Sequence, residues 1–548
     1  MKVTVGYVIA AFLERCGVKA AYGVISIHNM PILDAMATRG AIRFVSARGE
    51  AGATSMADAC ARTTGTLGVC ITSTGTAAGN AAGGMVEALT AGTPLLHITG
   101  QIEAAYLDRD MAYIHEAPDQ LAMLKAVSKE AWRVRSADTA LATFKQAVRT
   151  AQSAPGGPVS VEVPIDIQAA LIELPDDLEP LAPLAAAPAA HDVARLADAL
   201  AQARRPLLWV GGGARGAGPA VARLVAMGFG VVSSTQGRGI VAETHAQSLG
   251  AYNVAPPVEA FYATCDALLV VGSRLRGNET LKYQLKLPQP LYRIDADPAA
   301  NSRCYPNAQF LCGDAAFSLN ALADQLEGRM KIDGSFAADL RRAHDKAVAD
   351  LRDGLGPYAT LVDAVQAAAG AQFNWVRDVT VSNSTWGNRE LRLPGPRAGV
   401  HALGGGIGLG LAMAIGAATA AAAYASGNQT FLLAGDGGFV LNLGELACAV
   451  QEGADFTVIL MNDQSYGVIK NIQDAQYGGR RVYAELHTPD YALLAQSLKF
   501  EHRRIKSLAE APAMLAELAR FPGPRMLEVD MLAVGAFKTA FAGPPVKV

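Results

Sequence analysis

Short apolar runs alternate along this chain with longer stretches whose apolar residues recur at helical spacing. Residues 67–72 and 158–163, and further along Pro206–Val210 and Ala267–Val271, have the length and composition of buried strands. Amphipathic stretches long enough for helices lie between such runs. Strands that alternate with helices pair into parallel sheets covered on both faces. The pattern therefore predicts an α/β fold.

Two segments that break this alternation of strands and helices divide the chain. Residues 174–191 are rich in Pro, Ala and Asp, which is typical of an interdomain linker. Residues 327–358 are charged and helical in places, and they predict a second connector. A chain of 548 residues is long enough for three or four domains. We therefore predict three doubly wound parallel-sheet domains at residues 1–174, 192–326 and 359–548.

The composition supports large buried cores and argues against two kinds of partner. Hydrophobic residues make up 51% of the chain and charged residues 18%, and the net charge is −3. This charge gives no electrostatic attraction to nucleic acid or to an anionic membrane. Residues 404–423 are uncharged but consist mostly of Gly and Ala, so we expect a buried helix rather than a membrane span. Residues 5–13 predict a first amphipathic helix rather than a signal-peptide core.

The seven cysteines are scattered and odd in number, and none belong to a Cys-x-x-Cys pair. Cys70 and Cys448 lie inside apolar elements, as small buried hydrophobic residues do. This usage predicts a reducing compartment without structural zinc. We expect a cytoplasmic protein.

Two aspartates follow neighbouring apolar runs near the end of the chain. Asp436 stands in Gly435–Gly438 after the run 430–434, and Asp463 follows the run 456–461, 27 positions further on. A stretch of helical period, 443–451, separates them, and such a unit brings both strand ends to one edge of a sheet. Glycines at a helix start allow close approach of a phosphate, and carboxylates beside it require a cation such as Mg²⁺ or Ca²⁺. The residues themselves predict a metal–diphosphate site, although two turn aspartates in an ordinary βαβ unit are the alternative.

This pair of motifs resembles the signature of thiamine-diphosphate-dependent enzymes, and the rest of the chain is similar to the branch that contains acetolactate synthase, benzoylformate decarboxylase and pyruvate decarboxylase. The resemblance implies a pyrimidine-binding, a central and a pyrophosphate-binding domain, in that order. It implies thiamine diphosphate and Mg²⁺ as cofactors, with Asp436, Asp463 and the carbonyl of Ser465 as metal ligands. The resemblance also places other residues near the cofactor, namely Gly437, Gly438, Tyr466 and Gly467, with Asn383, Ser384 and Thr385 as weaker candidates. One departure is Asp463, where the family usually has Asn.

Glu50 begins a predicted helix after the apolar run 42–45. A Glu at this position is commonly just a partner of the helix dipole. The resemblance instead implies that Glu50 hydrogen-bonds the aminopyrimidine ring of the cofactor, so that the cofactor can remove its own C2 proton. It also implies that Ile407 supports the bent cofactor and that the carbonyl of Gly405 accepts from its amino group. A simple core position is the alternative for Ile407.

Three residues are candidates for contact with the substrate, and for each a structural role is an equal alternative. His28 lies in the loop after the first strand, and imidazole exchanges protons near neutral pH. By resemblance, His115 stands where acetolactate synthases have Gln, and Gln101 matches a Gln of their pattern. Ile25-Ser26 replaces a Pro-Gly pair of the family, and the substrate-contacting Ser and the paired histidines of the two decarboxylases are missing. These departures put both specific activities in doubt. His97 lies in an apolar run and is interpreted as a core residue.

The glycines of 211–216 follow a strand and formally fit a dinucleotide fingerprint. A dinucleotide-binding site requires an acidic residue at the end of the next strand, and residues 231–236 contain none. We therefore do not predict NAD. Acetolactate synthases bind FAD in this region, so the resemblance leaves FAD open, but we do not predict it.

The expected function is that of a thiamine-diphosphate- and Mg²⁺-dependent lyase that decarboxylates a 2-oxo acid, with carboligation to a second carbonyl left open. An acetolactate-synthase-like transferase, with or without FAD, is the first alternative. A nicotinamide oxidoreductase and a cofactor-binding protein without catalysis are the others. The resemblance also implies a homodimer or homotetramer whose active site lies at the subunit interface. The sequence does not identify the 2-oxo acid.

Overall fold

The computed structural model describes residues 1–541 and contains three α/β units, each built on one parallel sheet. The last seven residues of the predicted third domain, 542–548, lie outside the described residues. In the described residues, the strands of the three large sheets pair in parallel, which confirms the predicted fold class. Among residues 1–541, no helix is both long enough and apolar enough to cross a membrane.

The first unit has a six-stranded sheet in the order β3-β2-β4-β5-β7-β6 and a small antiparallel pair, β1-β8. Its strands are β1 Lys2–Thr4, β2 Ala20–Gly23, β3 Arg43–Ser46, β4 Gly68–Thr72, β5 Leu95–Gln101, β6 Glu130–Arg133, β7 Pro158–Pro164 and β8 Leu171–Glu173. Its helices are α1 Val5–Arg15, α2 Met30–Arg39, α3 Glu50–Thr64, α4 Thr76–Asn80, α5 Ala82–Ala91, α6 Gln120–Val127, α7 Ala140–Gln152 and α8 Ile165–Ala169. The predicted first helix is present and is largely buried.

The second unit has a five-stranded sheet in the order β10-β9-β11-β12-β13. Its strands are β9 Pro206–Val210, β10 Gly230–Ser233, β11 Ala267–Val271, β12 Leu291–Asp295 and β13 Gln309–Cys312. Its helices are α9 Ala190–Leu200, α10 Gly218–Ala226, α11 Pro256–Tyr262 and α12 Ala315–Leu326. The long helix α13, Phe336–Leu355, then lies within the predicted connector.

The third unit has a six-stranded sheet in the order β15-β14-β16-β17-β19-β18. Its strands are β14 Phe373–Arg377, β15 Gly399–His401, β16 Gln429–Gly435, β17 Phe456–Asn462, β18 Glu501–Ile505 and β19 Pro524–Asp530. Its helices are α14 Ala359–Ala369, α15 Gly410–Ala423, α16 Asp436–Phe439, α17 Glu445–Gln451, α18 Gly467–Gln476, α19 Tyr491–Leu498, α20 Ala511–Leu518 and α21 Met531–Val534.

One predicted helix is shorter than expected. The uncharged stretch 404–423 is helical only from Gly410, and the preceding residues form a turn. Gly405 and Gly408 adopt φ values of +82° and +84° in this turn, which the right-handed helix does not allow. The prediction of a helix over residues 404–409 was therefore wrong, whereas the buried helix that follows is confirmed.

Helix α15 joins the first and third units, because it packs against α3. Both helices contribute small side chains to one core that also contains β16 and β17. A separate core lies under the other face of the first sheet, and another lies under the other face of the third sheet. The carboxyl ends of β16 and β17 are thus fixed by packing on both sides of the sheet.

Candidate active site

Asp436 and Asp463 follow two neighbouring strands at the same edge of the third sheet. In the parallel pair β16-β17, Gly435 is aligned with Met461, so both strands end side by side. Both aspartates line a cavity of about 500 Å³. The sequence prediction that these carboxylates converge at one sheet edge therefore agrees with the geometry.

Several buried polar atoms in this cavity have no hydrogen-bond partner. They are both carboxylate oxygens of Asp436, the Oγ of Ser465 and the Oγ of Ser382. Burial and the charge of Asp463 raise the pKa of Asp436 to about 7, and burial also raises the pKa of Asp463. Buried acceptors without donors are costly unless a ligand satisfies them. A divalent cation between the two carboxylates would do so.

The protein ligands of a metal at this position would be these two carboxylates and main-chain oxygen atoms. Among residues 1–541, no group of three His, Cys, Asp or Glu side chains is arranged to bind a metal ion. The remaining ligands must come from the backbone, from water or from a bound anion. Mg²⁺ suits this arrangement, since it commonly combines one or two carboxylates with phosphate oxygens and water.

The glycines after Asp436 stand where the packing leaves no space for a side chain. A Cβ at Gly437 would lie 2.8 Å from the Tyr466 ring, and one at Gly438 would lie 3.0 Å from the carboxylate of Asp378. Tyr466 is the N-cap residue of α18 and Gly467 is its first residue, and both line the cavity. The backbone N–H groups at this edge can therefore meet a diphosphate, as at other helix starts.

The glycine turn that contains Ile407 lies beside Gly438, since a Cβ at Gly408 would be 3.1 Å from the carbonyl oxygen of Gly438. Gly405 and Ile407 line the cavity, and the Ile407 side chain is 40% exposed rather than packed in a core. This exposure favours a contact with a ligand over the alternative of a simple core residue.

Two carboxylates hold the two ends of this glycine turn, and neither was predicted from the sequence. Asp378 accepts from the N–H of Gly408 at 3.0 Å and of Gly410 at 3.3 Å, and burial raises its pKa to about 6. Glu87 of the first unit accepts from the N–H groups of Leu403 and Gly404, both at 2.7 Å. The turn is therefore held by both units.

Glu50 begins α3, at the edge of the first sheet, and accepts a hydrogen bond from Asn80 at 3.1 Å. The loop before it is anchored by the buried Glu445, which accepts from the N–H of Arg48 at 3.1 Å and of Gly49 at 3.0 Å. The lining of the Asp436 cavity within the described chain contains no residue from 1–174. Glu50 of one chain therefore lies outside the cavity that the same chain forms.

His28 and His115 lie together above the first sheet, with ring centroids 5.0 Å apart. Burial and the neighbouring His115 lower the pKa of His28, and Glu103 partly opposes this effect. One oxygen of Glu103 accepts from Tyr113 at 3.3 Å, while the other is buried without a partner. The sequence did not single out Glu103.

Gln101 and Ser384 lie less favourably for contact with a ligand. The Gln101 carbonyl accepts from Thr74 and from the N–H of Ile102, both at 2.8 Å, which engages it within the first unit. Ser384 belongs to the helical turn Asn383–Gly387 and does not line the cavity, whereas Ser382 does. His97 is fully buried between Thr72 and Ser160, in agreement with a core role.

A second cavity, of about 320 Å³, surrounds the glycine loop of the second unit. Its lining includes Gly212, Arg215, Asp295 and Asp297. Burial, with repulsion from Arg62 and Arg397, lowers the pKa of Arg215 to about 9. The acidic residues come from the end of β12 and not from β10, so an inspection of the next strand alone could not reveal them.

The fold and this site define the class of protein: a three-unit α/β protein with two carboxylates and a cavity at the edge of its third sheet. Three family models match the chain. They are described as the N-terminal TPP binding domain, the central domain and the C-terminal TPP binding domain of thiamine pyrophosphate enzymes, and they match residues 3–123, 193–322 and 380–529. The chain belongs to the thiamine pyrophosphate enzyme family.

Named relatives extend over nearly the whole chain. The Pseudomonas aeruginosa protein named "Probable 2-ketoarginine decarboxylase AruI" is 30% identical over 517 residues, which are 92% of this chain and 90% of that protein. Acetolactate synthase isozyme 1 large subunit of Escherichia coli is 28% identical over 560 residues, 98% of this chain and 97% of its own. Acetolactate synthase 2, chloroplastic, of Zea mays is 26% identical over 549 residues, 94% and 84% of the two chains.

Proposed function

We propose that this protein is a thiamine-diphosphate- and Mg²⁺-dependent decarboxylase of a 2-oxo acid, able to pass the remaining acyl group to a proton or to a second carbonyl compound. The observation that supports this most directly is the buried carboxylate of Asp436. Both of its oxygens lack donors and face a cavity of about 500 Å³, beside Asp463 and two glycines. This environment suits a cation, and the cavity beside it offers space for the diphosphate.

Within this proposal, Asp436, Asp463 and the carbonyl of Ser465 bind Mg²⁺, and the N–H groups of Gly437 and Gly438 bind the diphosphate. When bound, thiamine diphosphate would supply the nucleophilic carbon and the electron sink that decarboxylation of a 2-oxo acid requires. Ile407 supports the bend of the cofactor from the glycine turn. This turn cannot shift easily, because Asp378 and Glu87 bind its two ends.

Glu50 acts in this scheme on a cavity formed by a neighbouring chain. It holds a proton that it shares with the pyrimidine ring nitrogen, while Glu445 keeps the preceding loop in place. The pKa of the His28 imidazole is lowered by burial and by His115, so His28 is mainly neutral at pH 7 and suited to accept a proton. The His115 ring lies beside it, with the two ring centroids 5.0 Å apart.

Two measurements test this function. The protein, loaded with thiamine diphosphate and Mg²⁺, is given a panel of aliphatic, aromatic and guanidino 2-oxo acids, and CO₂ release is followed. Exchange of the cofactor C2 proton for deuterium is measured in the wild type and in Glu50→Gln. We expect CO₂ release from at least one acid and rapid exchange that the variant loses. Equal exchange in both proteins would contradict the role of Glu50.

The relatives favour a second candidate, an acetolactate-synthase-like transferase with or without FAD. Its structural support is the basic cavity around Gly212 and Arg215, which can accept an anionic nucleotide. Product analysis with pyruvate alone separates the two functions, since stoichiometric acetolactate would overturn simple decarboxylation. Flavin absorbance of the supernatant after denaturation of the purified protein tests for FAD.

A further inference from the structure

A third cavity, of about 530 Å³, lies between the second unit, α13 and the third unit. Its lining has residues from all three parts: Glu243 and Tyr252, then Arg341, His344, Asp345 and Arg352, and finally Arg389, Glu390 and Arg392. The cavity lies outside the family's cofactor motifs described above and is separate from the glycine-loop cavity. Its most unusual feature is a positive charge without a partner.

Every carboxylate in this lining forms hydrogen bonds or ion pairs with residues other than Arg389. Arg238 binds Glu243 through two hydrogen bonds, of 2.6 and 2.8 Å. Glu390 accepts from Arg352 at 2.7 Å and from the hydroxyl of Tyr252 at 2.6 Å. The third carboxylate, Asp345, binds Arg341 at 2.9 Å and His344 at 3.2 Å. No acid in the lining remains available to Arg389.

Arg389 itself is half-buried and makes no side-chain hydrogen bond or ion pair with any residue between 1 and 541. Its Nε has no acceptor, and the guanidinium faces the charge of Arg238 rather than a carboxylate. Burial lowers the pKa of Arg389, Tyr252 partly opposes this effect, and the charge of Arg238 adds to it. A buried Nε without an acceptor is costly, and an anion in the cavity is the ligand that best satisfies this guanidinium.

The segment that contains Arg389 also borders the cofactor cavity. Thr380 and Ser382 line the Asp436 cavity, the chain then forms the turn Asn383–Gly387, and Arg389 and Glu390 line the third cavity. Between them, the carbonyl of Asn388 accepts from Arg238 at 2.7 Å. A ligand that fastens Arg389 would therefore restrict one wall of the cofactor cavity.

We propose that Arg389 is the anchor of a binding site for a small carboxylate- or phosphate-bearing metabolite, and that its occupation changes the affinity of the neighbouring cofactor cavity. The planar guanidinium can bind either group through two parallel hydrogen bonds. Tyr252 and Val348 add an aromatic and an apolar surface for the rest of the molecule. This inference goes beyond the proposed reaction and does not depend on it.

Calorimetric titration tests binding, with inorganic phosphate and succinate as separate probes. The protein is loaded with thiamine diphosphate and Mg²⁺, so that the diphosphate site is already filled. We expect saturable binding of at least one probe, weakened about tenfold or more in Arg389→Gln. Arg204→Gln makes the same change at an exposed position and serves as the control. We expect it to bind like the wild type.

Two further variants keep this test decisive. Arg389→Lys retains the charge but loses the paired geometry, so we expect intermediate binding even if the Gln variant folds poorly. Arg215→Gln examines the other basic cavity, and loss of binding there with full binding in Arg389→Gln would overturn the proposal. Absence of saturable binding of both probes to the wild type would also overturn it.

Cofactor affinity tests the second half of the proposal. Thiamine diphosphate is titrated into the apoprotein with Mg²⁺, with and without whichever probe binds, and tryptophan fluorescence is followed. We expect the probe to change the cofactor affinity in the wild type and in Arg204→Gln, but not in Arg389→Gln. If the probe changes the cofactor affinity equally in Arg389→Gln, the probe competes with thiamine diphosphate at the diphosphate site. This result would contradict the proposed coupling between Arg389 and the cofactor cavity.

Discussion

Gly416 of α15 lies directly against the main chain of Met56 of α3. A Cβ at Gly416 would overlap the carbonyl oxygen of Met56 and lie 2.5 Å from its Cα. These helices belong to different units and share one core, and Tyr22 donates from its hydroxyl to the carbonyl of Gly416 at 3.2 Å. The close contact therefore sets the distance between the first and third sheets.

Gly416→Ala should destabilise the protein for this reason. The added methyl meets backbone, which cannot move aside as a flexible side chain can, and overpacking of a core typically costs about 1–3 kcal/mol. Gly83→Ala is the matched control, because Gly83 is an exposed helical residue whose Cβ would meet nothing within 4 Å. We expect a lower midpoint of denaturant unfolding for Gly416→Ala and an unchanged or higher one for Gly83→Ala.

Asp378→Asn should weaken cofactor binding. The carboxylate fixes the turn that contains Ile407 through the N–H groups of Gly408 and Gly410, and an amide can accept with only one of its ends. We expect the dissociation constant of thiamine diphosphate to rise about tenfold, as for the loss of one or two charge-assisted hydrogen bonds. Asp198→Asn, at an exposed position, should leave it unchanged. Unaltered binding in Asp378→Asn would contradict the anchoring role.

The contrast between Asp436 and Asp378 shows what the sequence could reveal. Asp436 follows a long apolar run and precedes glycines, so its strand, its turn and its ligand chemistry can all be read from adjacent residues. Asp378 also follows a strand, but its partners lie 30 positions away at Gly408. Glu445, and Asp295 and Asp297 at the end of β12, are similar cases, since their roles depend on which elements pack together. Patterns local in the chain predicted the fold and the metal pair, whereas the supporting contacts required the tertiary arrangement.

Asp436→Asn should abolish Mg²⁺-dependent binding of the cofactor and yet stabilise the metal-free protein above neutral pH. The folded-state pKa of Asp436 is raised to about 7 from an ordinary value of 3.8. Between these values the folded protein binds more protons than the unfolded chain, so stability falls as pH rises. The amide removes this dependence. We expect a higher unfolding temperature than the wild type at pH 8 without metal, and little difference at pH 4.

His97 should make the protein less stable in mild acid. Burial lowers the pKa of His97 to about 4, whereas the unfolded chain binds a proton near 6.5. Stability from the neutral imidazole is therefore complete above pH 6.5 and is lost as pH falls toward 4, by about 3 kcal/mol at most. His97→Gln should flatten the pH dependence of unfolding in this window. The exposed His191→Gln should not change it, and equal slopes in the wild type and His97→Gln would contradict the assignment.

A site shared between two chains should be restored when two inactive variants are combined. Glu50 lies outside the Asp436 cavity of its own chain, so Glu50→Gln and Asp436→Asn damage different halves of each site. In a mixed dimer, one site receives both changes and the other receives neither. Coexpression in equal amounts should therefore return about a quarter of the wild-type activity with random pairing in a two-fold symmetric dimer. The measurement is CO₂ release per chain, with each variant expressed alone as the control and native mass spectrometry to confirm mixed dimers. If mixed dimers form and remain inactive, both halves of the site belong to one chain. This result would contradict the proposal that two chains share the active site.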